Sequence, residues 1–433
     1  MSETLPDKPQ RRFVQTPTIL AVRLFIFALL LLLALYGLIA GSPLVRAGSA
    51  LFVLISAAAL SFGLYVMFRS TRPPQPLPEP DHGSGAAAEA SFVAYGEATT
   101  DTMRVYPLQT GSTLVSFGQF FKGNEGWVGR RAVWNMGADE ATVFWAPVHA
   151  YLIDHPRQGP ILVDTGISRA QTEKGYYSVR AGGLTGLIWK TDDNYLPPHQ
   201  ELTLQLEQLG VTVEDVTQVI MTHLHEDHVG ELNRFTSSTV HLSRVEWDDR
   251  HRMGYAPSYE AIKTWNHFEF DSGCFYAFDA SKDLFGDGSI ILAPTYGHSF
   301  GHTSLFLQMG EYTLCLVADA LYTLRHLDPD SLAAFNYFGQ EGFATQADSV
   351  RRLAAMQDAL PDLIYIPTHD PFEYTFELVH SFLKNGALSA EERDALRRYQ
   401  ANLYDNGGGL KPEAHPRFEK TDDGYGRIVA DLP

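Results

Sequence analysis

The pattern of hydrophobic and polar positions divides the chain near residue 90. Before that point the apolar runs are long and have no polar face; after it they are short and regularly interrupted. Residues 1–18 are polar and basic, with Pro6, Pro9 and Pro17, and are expected to be disordered. Residues 19–41 carry a single charge, Arg23, and residues 47–68 carry none. Either run is long enough for a helix to span a bilayer, and the short loop between them predicts a two-helix transmembrane hairpin. Lys8, Arg11, Arg12 and Arg23 lie at the start of the first run, Arg69 and Arg72 follow the second, and Arg46 alone sits in the loop. The positive-inside rule then predicts a two-span membrane protein whose ends, and the domain that follows, are cytoplasmic. Residues 69–90 are Pro-rich and then Gly/Ala-rich, a composition that predicts a linker, and 91–433 a single soluble domain.

Within that domain the periodicity is mixed. Short apolar or alternating runs predict strands at Thr102–Tyr106, Ser112–Phe117, Ala141–Phe144, His149–Asp154, 161–163, Val216–Met221, Thr239–Ser243, Ile290–Ala293, Ser304–Met309, Thr313–Val317 and Leu363–Pro367. His155 to Pro160 has the composition of a hairpin turn. Helical spacing appears over Glu201–Leu209, Arg244–Arg252, Gln346–Ala359 and Ala390–Leu403. Strands in runs with helices between them predict layered α/β sheets.

The polar positions that matter sit where these strands end. After Val216–Met221 comes His223-Leu224-His225-Glu226-Asp227-His228, three histidines and an aspartate within six residues. Neutral imidazole and carboxylate are the donors that suit zinc and other first-row divalent ions. On extended backbone His223 and His225 share a face, while Asp227 and His228 follow as the chain turns and can face a second ion. His298, Asp319 and His369 each follow a later apolar strand and can complete both sets. His302, four residues after His298, reads as structural, and His149 as a core residue or one near a pocket rim. Asp164 begins the polar turn in which the strand 161–163 ends.

Composition narrows the function. Lys plus Arg number 33 against 51 Asp plus Glu, a net charge of −18. The acidic excess lies after residue 72, and so acidic a body disfavours nucleic acid as partner. The only cysteines are Cys274 and Cys315, which exclude a disulfide scaffold and a CxxC zinc site and are expected to behave as small buried hydrophobes. Aromatic stretches around Phe117, Phe120, Phe121 and Trp127, and around Tyr176 and Trp189, are equally suited to core packing or to an apolar acyl pocket.

The segment Leu162-Val163-Asp164-Thr165-Gly166, the run 223–228, Gly297-His298-Ser299, Asp319 and His369 stand in the order found in the metallo-β-lactamase superfamily, which the chain resembles from about Ser91 to His380. The resemblance implies an αββα sandwich. It implies one metal site from His223, His225 and His298 and a second from Asp227, His228 and His369, bridged by Asp319. The cofactor would be two divalent ions, Zn2+ first, with Fe or Mn as alternatives, and Asp164 would orient a ligand. Within the superfamily the chain is most similar to N-acyl homoserine lactone lactonases, through Asp319-Ala320-Leu321-Tyr322 and the Gly-His-x-x-Gly-His pattern at 297–302. That similarity implies a hydrolase that opens a lactone or cleaves an ester by attack of metal-bound hydroxide; the membrane anchor expected from the apolar runs lies outside the lactonase pattern. The small-molecule substrate would carry an apolar chain, Tyr322 would contact its carbonyl, and Asp227 or Asp319 would pass a proton to the leaving alkoxide. Tyr296 and Phe300 stand where that family commonly has prolines. Thioester hydrolysis of the glyoxalase II kind, phosphodiester hydrolysis, an oxygen-handling di-iron site and a non-catalytic membrane-tethered binding module are the competing expectations.

Overall fold

The computed structural model of the protein describes residues 30–70, 103–116, 120–121, 143–173, 194–250, 258–328, 339–372, 385–420 and 426–431. The expected disordered segment 1–18 and nearly all of the linker 69–90 lie outside the described residues, as do Phe117, Trp127, Tyr176 and Trp189. At the N-terminal end residues 30–40 form helix α1 and Pro43–Ser70 form helix α2. The first expected span therefore lies partly outside the described residues. Among the described residues no helix is long and apolar enough to cross a membrane.

Strands β1 (Arg104–Ser116), β2 (Val143–His155), β3 (Gly159–Val163), β4 (Asn194–Tyr195), β5 (Gln218–Ile220), β6 (Thr239–Ser243) and β7 (Thr264–Phe268) form a seven-stranded sheet in the order β4-β1-β2-β3-β5-β6-β7. A second sheet of five strands runs β12-β11-β10-β9-β8, built from β8 (Lys282–Asp283), β9 (Ile290–Pro294), β10 (Thr303–Gln308), β11 (Thr313–Ala318) and β12 (Leu363–Pro367). The alternation of side chains along each strand sorts them into layers. Ile161 and Val163 of β3 meet Leu314 and Leu316 of β11 in the core between the sheets. Leu162 faces outward with Val219, Val240 and Leu242 onto helix α3 (Leu202–Gln208), through Leu202 and Leu206. Cys315 and Val317 face the opposite way, onto Val350, Leu353 and Met356 of a long helix, Gly339–Ala359, and Tyr399 and Leu403 of the C-terminal helix, Ala390–Leu403. Helix, sheet, sheet and helix thus stack as the expected αββα sandwich.

Two expected strand pairs are single long strands. The described parts of the expected strands Thr102–Tyr106 and Ser112–Phe117 lie in or beside β1, and those of Ala141–Phe144 and His149–Asp154 in β2, paired antiparallel. Pro107, Pro147 and Gly111 interrupt the sequence pattern; Pro107 keeps the regular register opposite Tyr151, while Gly111 and Pro147 lie at a register shift between Gln109 and Ser112. Gly111 sits there at φ 107, where a Cβ would lie 2.6 Å from Tyr195 O. Strand β7 went unread because Thr264-Trp-Asn-His-Phe268 is a polar edge strand, mostly exposed or half-buried. Cys315 is buried as expected; Cys274 is only half-buried, its thiol donating to Asp279 O at 3.3 Å.

Strands β3, β5 and β6 run parallel, as do β11 and β12, while β9 is antiparallel to β10 and β10 to β11. The C-terminal ends of β9, β11 and β12 therefore lie at one edge of their sheet, as those of β3 and β5 do in theirs. Thr303 N donates to Thr222 O at 3.0 Å and joins the two edges.

Candidate metal centre

Every candidate donor leaves the end of one of these strands. His223 and His225 follow β5 on extended backbone. Asp227 and His228 sit in a single helical turn, Glu226–Val229, which starts at His225. His298 follows β9, Asp319 follows β11, and His369 follows β12. The structure brings these seven side chains into two adjoining groups: His223, His225, His298 and Asp319, and Asp227, His228 and His369.

In the first group His223 Nε2 lies 2.9 Å from His225 Nδ1, which lies 2.6 Å from His298 Nε2; the two Nε2 atoms are 3.1 Å apart. In the second, Asp227 Oδ2 is 3.4 Å from His369 Nε2 and Asp227 Oδ1 is 4.0 Å from His228 Nε2. Asp319 faces both groups. Its Oδ2 is 3.2 Å from His298 Nε2 and 3.9 Å from His223 Nε2, and its Oδ1 is 3.2 Å from both His228 Nε2 and His369 Nε2.

The far side of each ring settles which nitrogen carries its proton. His228 Nδ1–H donates to Asp164 Oδ2 at 2.7 Å, and His369 Nδ1–H to Pro147 O at 2.7 Å. Thr222 gives its hydroxyl proton to Asp164 Oδ2 at 2.8 Å, so it accepts from His223 Nδ1–H at 3.0 Å. Tyr322 OH is 3.0 Å from His298 Nδ1, and with His298 Nε2 turned toward the other donors it is placed to accept the Nδ1 proton. Four Nε2 lone pairs are thereby aimed inward, the tautomer that a metal ligand needs.

These residues fit a divalent cation. Lone pairs that converge this closely repel one another unless positive charge lies between them. Their spacing is near the roughly 3.3 Å that tetrahedral nitrogen ligands adopt at Zn–N distances of about 2.0–2.1 Å. His228 Nε2 and Asp319 Oδ1 are both buried without a hydrogen bond, an arrangement that costs free energy unless something else engages them. Electrostatics agree for the first group. Burial, then the neighbouring rings of His228, His225 and His298, holds His223 well below the usual histidine range. Burial pushes His225 down to about 4 and His298 well below its ordinary value. Burial would also lower His228 and His369, but Asp319 chiefly, helped by other carboxylates, lifts both. Burial would raise the Asp319 carboxyl; His369, His228 and His298 outweigh it and hold it well below the carboxylate range.

Asp164 proves to be more than a strand cap. Besides His228 it accepts from Thr222 N at 2.9 Å, and it holds a left-handed backbone, φ 56, to do so. His302 is no part of either group. Its Nε2 accepts from Asp319 N at 3.1 Å while Nδ1–H donates to Thr295 Oγ1 at 2.8 Å, so it supports the backbone of Asp319. His149 is buried, with Nδ1 2.6 Å from Thr368 O. Phe120 stacks on Tyr322 at 4.4 Å between centroids, within an apolar cluster of Phe120, Phe121, Phe144, Ala146 and Phe372 against which Ile428 packs. Sequence reasoning passed over Thr222, Pro147 O and Glu246. The first two act through a short side chain and a carbonyl, which no pattern marks, and Glu246 sits in what reads as an ordinary polar helix.

Gly297 and Gly230 permit the close approach of the loops. Gly297 has φ 122 and a Cβ there would meet Gln346 N at 2.2 Å; at Gly230 it would meet Gly166 O at 2.4 Å.

Residues 143–369 match the metallo-beta-lactamase superfamily, more than half of the chain, and the chain belongs to it. Within that superfamily it is a lactonase-like, metal-dependent hydrolase. An N-acyl homoserine lactonase, AttM, of Rhizobium radiobacter is 30% identical over 280 residues, 62% of this chain and 94% of that one. The lactonase AiiA of Bacillus thuringiensis subsp. kurstaki is 29% identical over 192 residues, 42% of this chain and 68% of that one. The fold is shared with a solved N-acyl homoserine lactone hydrolase holding N-hexanoyl-L-homoserine at its catalytic metal centre, with TM-score 0.50 and 21% identity over 66% of this chain and 97% of that one.

Proposed function

We propose that the protein is a membrane-anchored, dinuclear hydrolase that opens N-acyl homoserine lactones or closely related lactones and esters, with Zn2+ as the first-choice metal. The observation that carries this is Asp319, whose two carboxylate oxygens face the two donor groups separately. His223, His225 and His298 would hold one ion, Asp227, His228 and His369 the other, and Asp319 both. Bound there, a pair of divalent ions supplies an acidified water and a polarised carbonyl. The chain's own groups do the rest. Asp227 is partly exposed at the edge of the site, placed to carry a proton to the leaving alkoxide. Tyr322, having accepted from His298, keeps its own O–H proton and can donate it to the substrate carbonyl oxygen. The apolar cluster around Phe120 adjoins Tyr322 and suits an acyl chain. The relatives' lactonase activity supports this substrate class.

The apolar runs 19–41, with Arg23 its single charge, and 47–68, uncharged, support the anchor, and the flanking arginines a cytoplasmic catalytic domain. Carbonate extraction of membranes from expressing cells tests the anchor; release of the full chain into the soluble fraction would remove it. The activity is tested by turnover of an acyl homoserine lactone, a thioester and bis-nitrophenyl phosphate by Zn2+-loaded full-length protein, with metal content measured in parallel. Lactone turnover with two equivalents of metal is expected. Preference for the thioester or the phosphodiester would replace the lactonase reading, and inactivity of the metal-loaded protein on all three would favour a binding module.

A further inference from the structure

We propose that Glu246 is a positioning residue that locks together the two loops carrying His223, His225 and His298. It lies in the short helix Arg244–Asp249, and its carboxylate is buried. One oxygen, Oε1, accepts from Leu224 N at 3.0 Å, between His223 and His225. The other, Oε2, accepts from Ser299 Oγ and from Gly301 N, both at 2.8 Å, on the loop that carries His298. The helix start is itself fastened to that loop: Ser243 Oγ caps Glu246 N at 3.1 Å and donates to Gly301 O at 2.7 Å. Gly301 fits so closely there that a Cβ would lie 2.1 Å from Glu246 N.

Burying a carboxylate costs several kcal/mol unless donors compensate it, and an apolar side chain would fill the same space without that cost. Here three donors from two loops compensate it, so the carboxylate works as a two-point gauge. It sets the distance between the ring pair His223/His225 and His298, whose closest nitrogens are 2.6 Å apart. A shift of either loop by a few tenths of an ångström changes the ligand geometry directly.

The inference rests on the metal-site reading above. Glu246→Gln is nearly isosteric but offers one acceptor oxygen, so its amide meets a backbone N–H of one loop with an N–H of its own. The test uses the full chain and measures Zn2+ affinity by chelator competition, the visible spectrum of the Co2+-substituted protein, and the melting temperature of the metal-free protein. Glu246→Gln should weaken Zn2+ binding by about 10- to 100-fold, the range found for groups that orient metal ligands. It should also alter the Co2+ bands and lower kcat with KM little changed. Ser299→Ala, which removes one bond and leaves the carboxylate, should move affinity and spectrum in the same direction by less, and it stands in if Glu246→Gln does not fold. Unchanged affinity and spectrum beside a lowered melting temperature would overturn the proposal and leave Glu246 a merely structural residue. Wild-type protein that takes up no stoichiometric metal would overturn both this proposal and the reading beneath it.

Discussion

Asp164→Asn isolates the contribution of one oxygen to the second donor group. Asp164 Oδ2 receives two protons, from His228 Nδ1 at 2.7 Å and Thr222 Oγ1 at 2.8 Å, and Oδ1 receives a third from Thr222 N at 2.9 Å. Asparagine tolerates the left-handed backbone that Asp164 holds, so the fold is kept. Neither amide orientation reproduces the three bonds. If the NH2 faces His228, the ring must accept at Nδ1 and carry its proton on Nε2, the atom 3.2 Å from Asp319 Oδ1. If it faces Thr222 N, that buried N–H is left unsatisfied, at a cost of about 1–3 kcal/mol, and the bond to His228 loses its charge assistance. A loss of roughly 1.4–2.7 kcal/mol at His228 corresponds to a 10- to 100-fold weaker ion. The assay is titration of metal-free full-length protein with Zn2+ against a chromophoric chelator. The expected result is one site weakened by that factor and the other, linked to Asp164 less directly through Thr222 and His223 and through His228 and Asp319, weakened by less. Two equivalents bound with wild-type affinity would refute the reasoning.

Tyr322→Phe, assayed at saturating metal, should lower kcat on the lactone by about tenfold to several hundredfold, the cost of one lost donor to a developing oxyanion; kcat within twofold of wild type removes the hydroxyl from the chemistry. His302→Leu leaves Asp319 N without its acceptor and should cost about 1–3 kcal/mol of stability, read from urea melts, without removing a metal equivalent; loss of an equivalent would make His302 a ligand after all. His241, on β6 and outside both donor groups, is pushed down to about 4 by burial and lies between Gln218 and Asn266. Its folded pKa is below its unfolded one, so the unfolded chain binds the extra proton. Its share of stability is complete above about pH 6.5 and is lost as pH falls toward 4, by roughly 3 kcal/mol. His241→Gln should flatten that part of the stability curve, and an unchanged slope would rule this origin out.

The ligand set was legible in the sequence because each donor directly follows a short apolar strand, and strand ends are where a layered sheet places polar residues without burying unpaired groups. His223 and His225 needed only the period of extended backbone. The grouping of His298, Asp319 and His369 with them could not be read from spacing, since it depends on β9, β11 and β12 lying in a different sheet from β5. Strand-end position suggests it, resemblance assigns the residues to two sets, and the structure brings the seven side chains into two adjoining groups. The strands β1 and β2 were legible as pieces, because Pro107, Gly111 and Pro147 interrupt the sequence pattern while the pairing continues on both sides of one register shift. The contacts that orient the rings were least legible. A backbone carbonyl such as Pro147 O leaves no trace in composition, and Glu246 differs in no sequence feature from any solvated glutamate in a polar helix.

Two non-glycine residues beside the site adopt left-handed backbone, Asp164 at φ 56 and Ala318 at φ 48. Such a conformation costs of order 1 kcal/mol or more and persists only where the surroundings demand it. Asp164 follows the last pair of its strand, Val163 with Ile220, and Ala318 is the last residue of β11, paired with Pro367 just after a register shift. At that point the chain must stop alternating between sheet faces and turn a carboxylate toward the gap between the sheets. At Asp164 the turn carries the side chain under His228; at Ala318 it carries the next residue, Asp319, between the two donor groups, where His302 fastens its backbone. The core supplies the compensation: the residues that precede each turn are almost wholly buried between the sheets or under the helices. Strain at the strand ends and close packing behind them are therefore two parts of one arrangement, which holds a shared carboxylate where relaxed strand geometry would not put it.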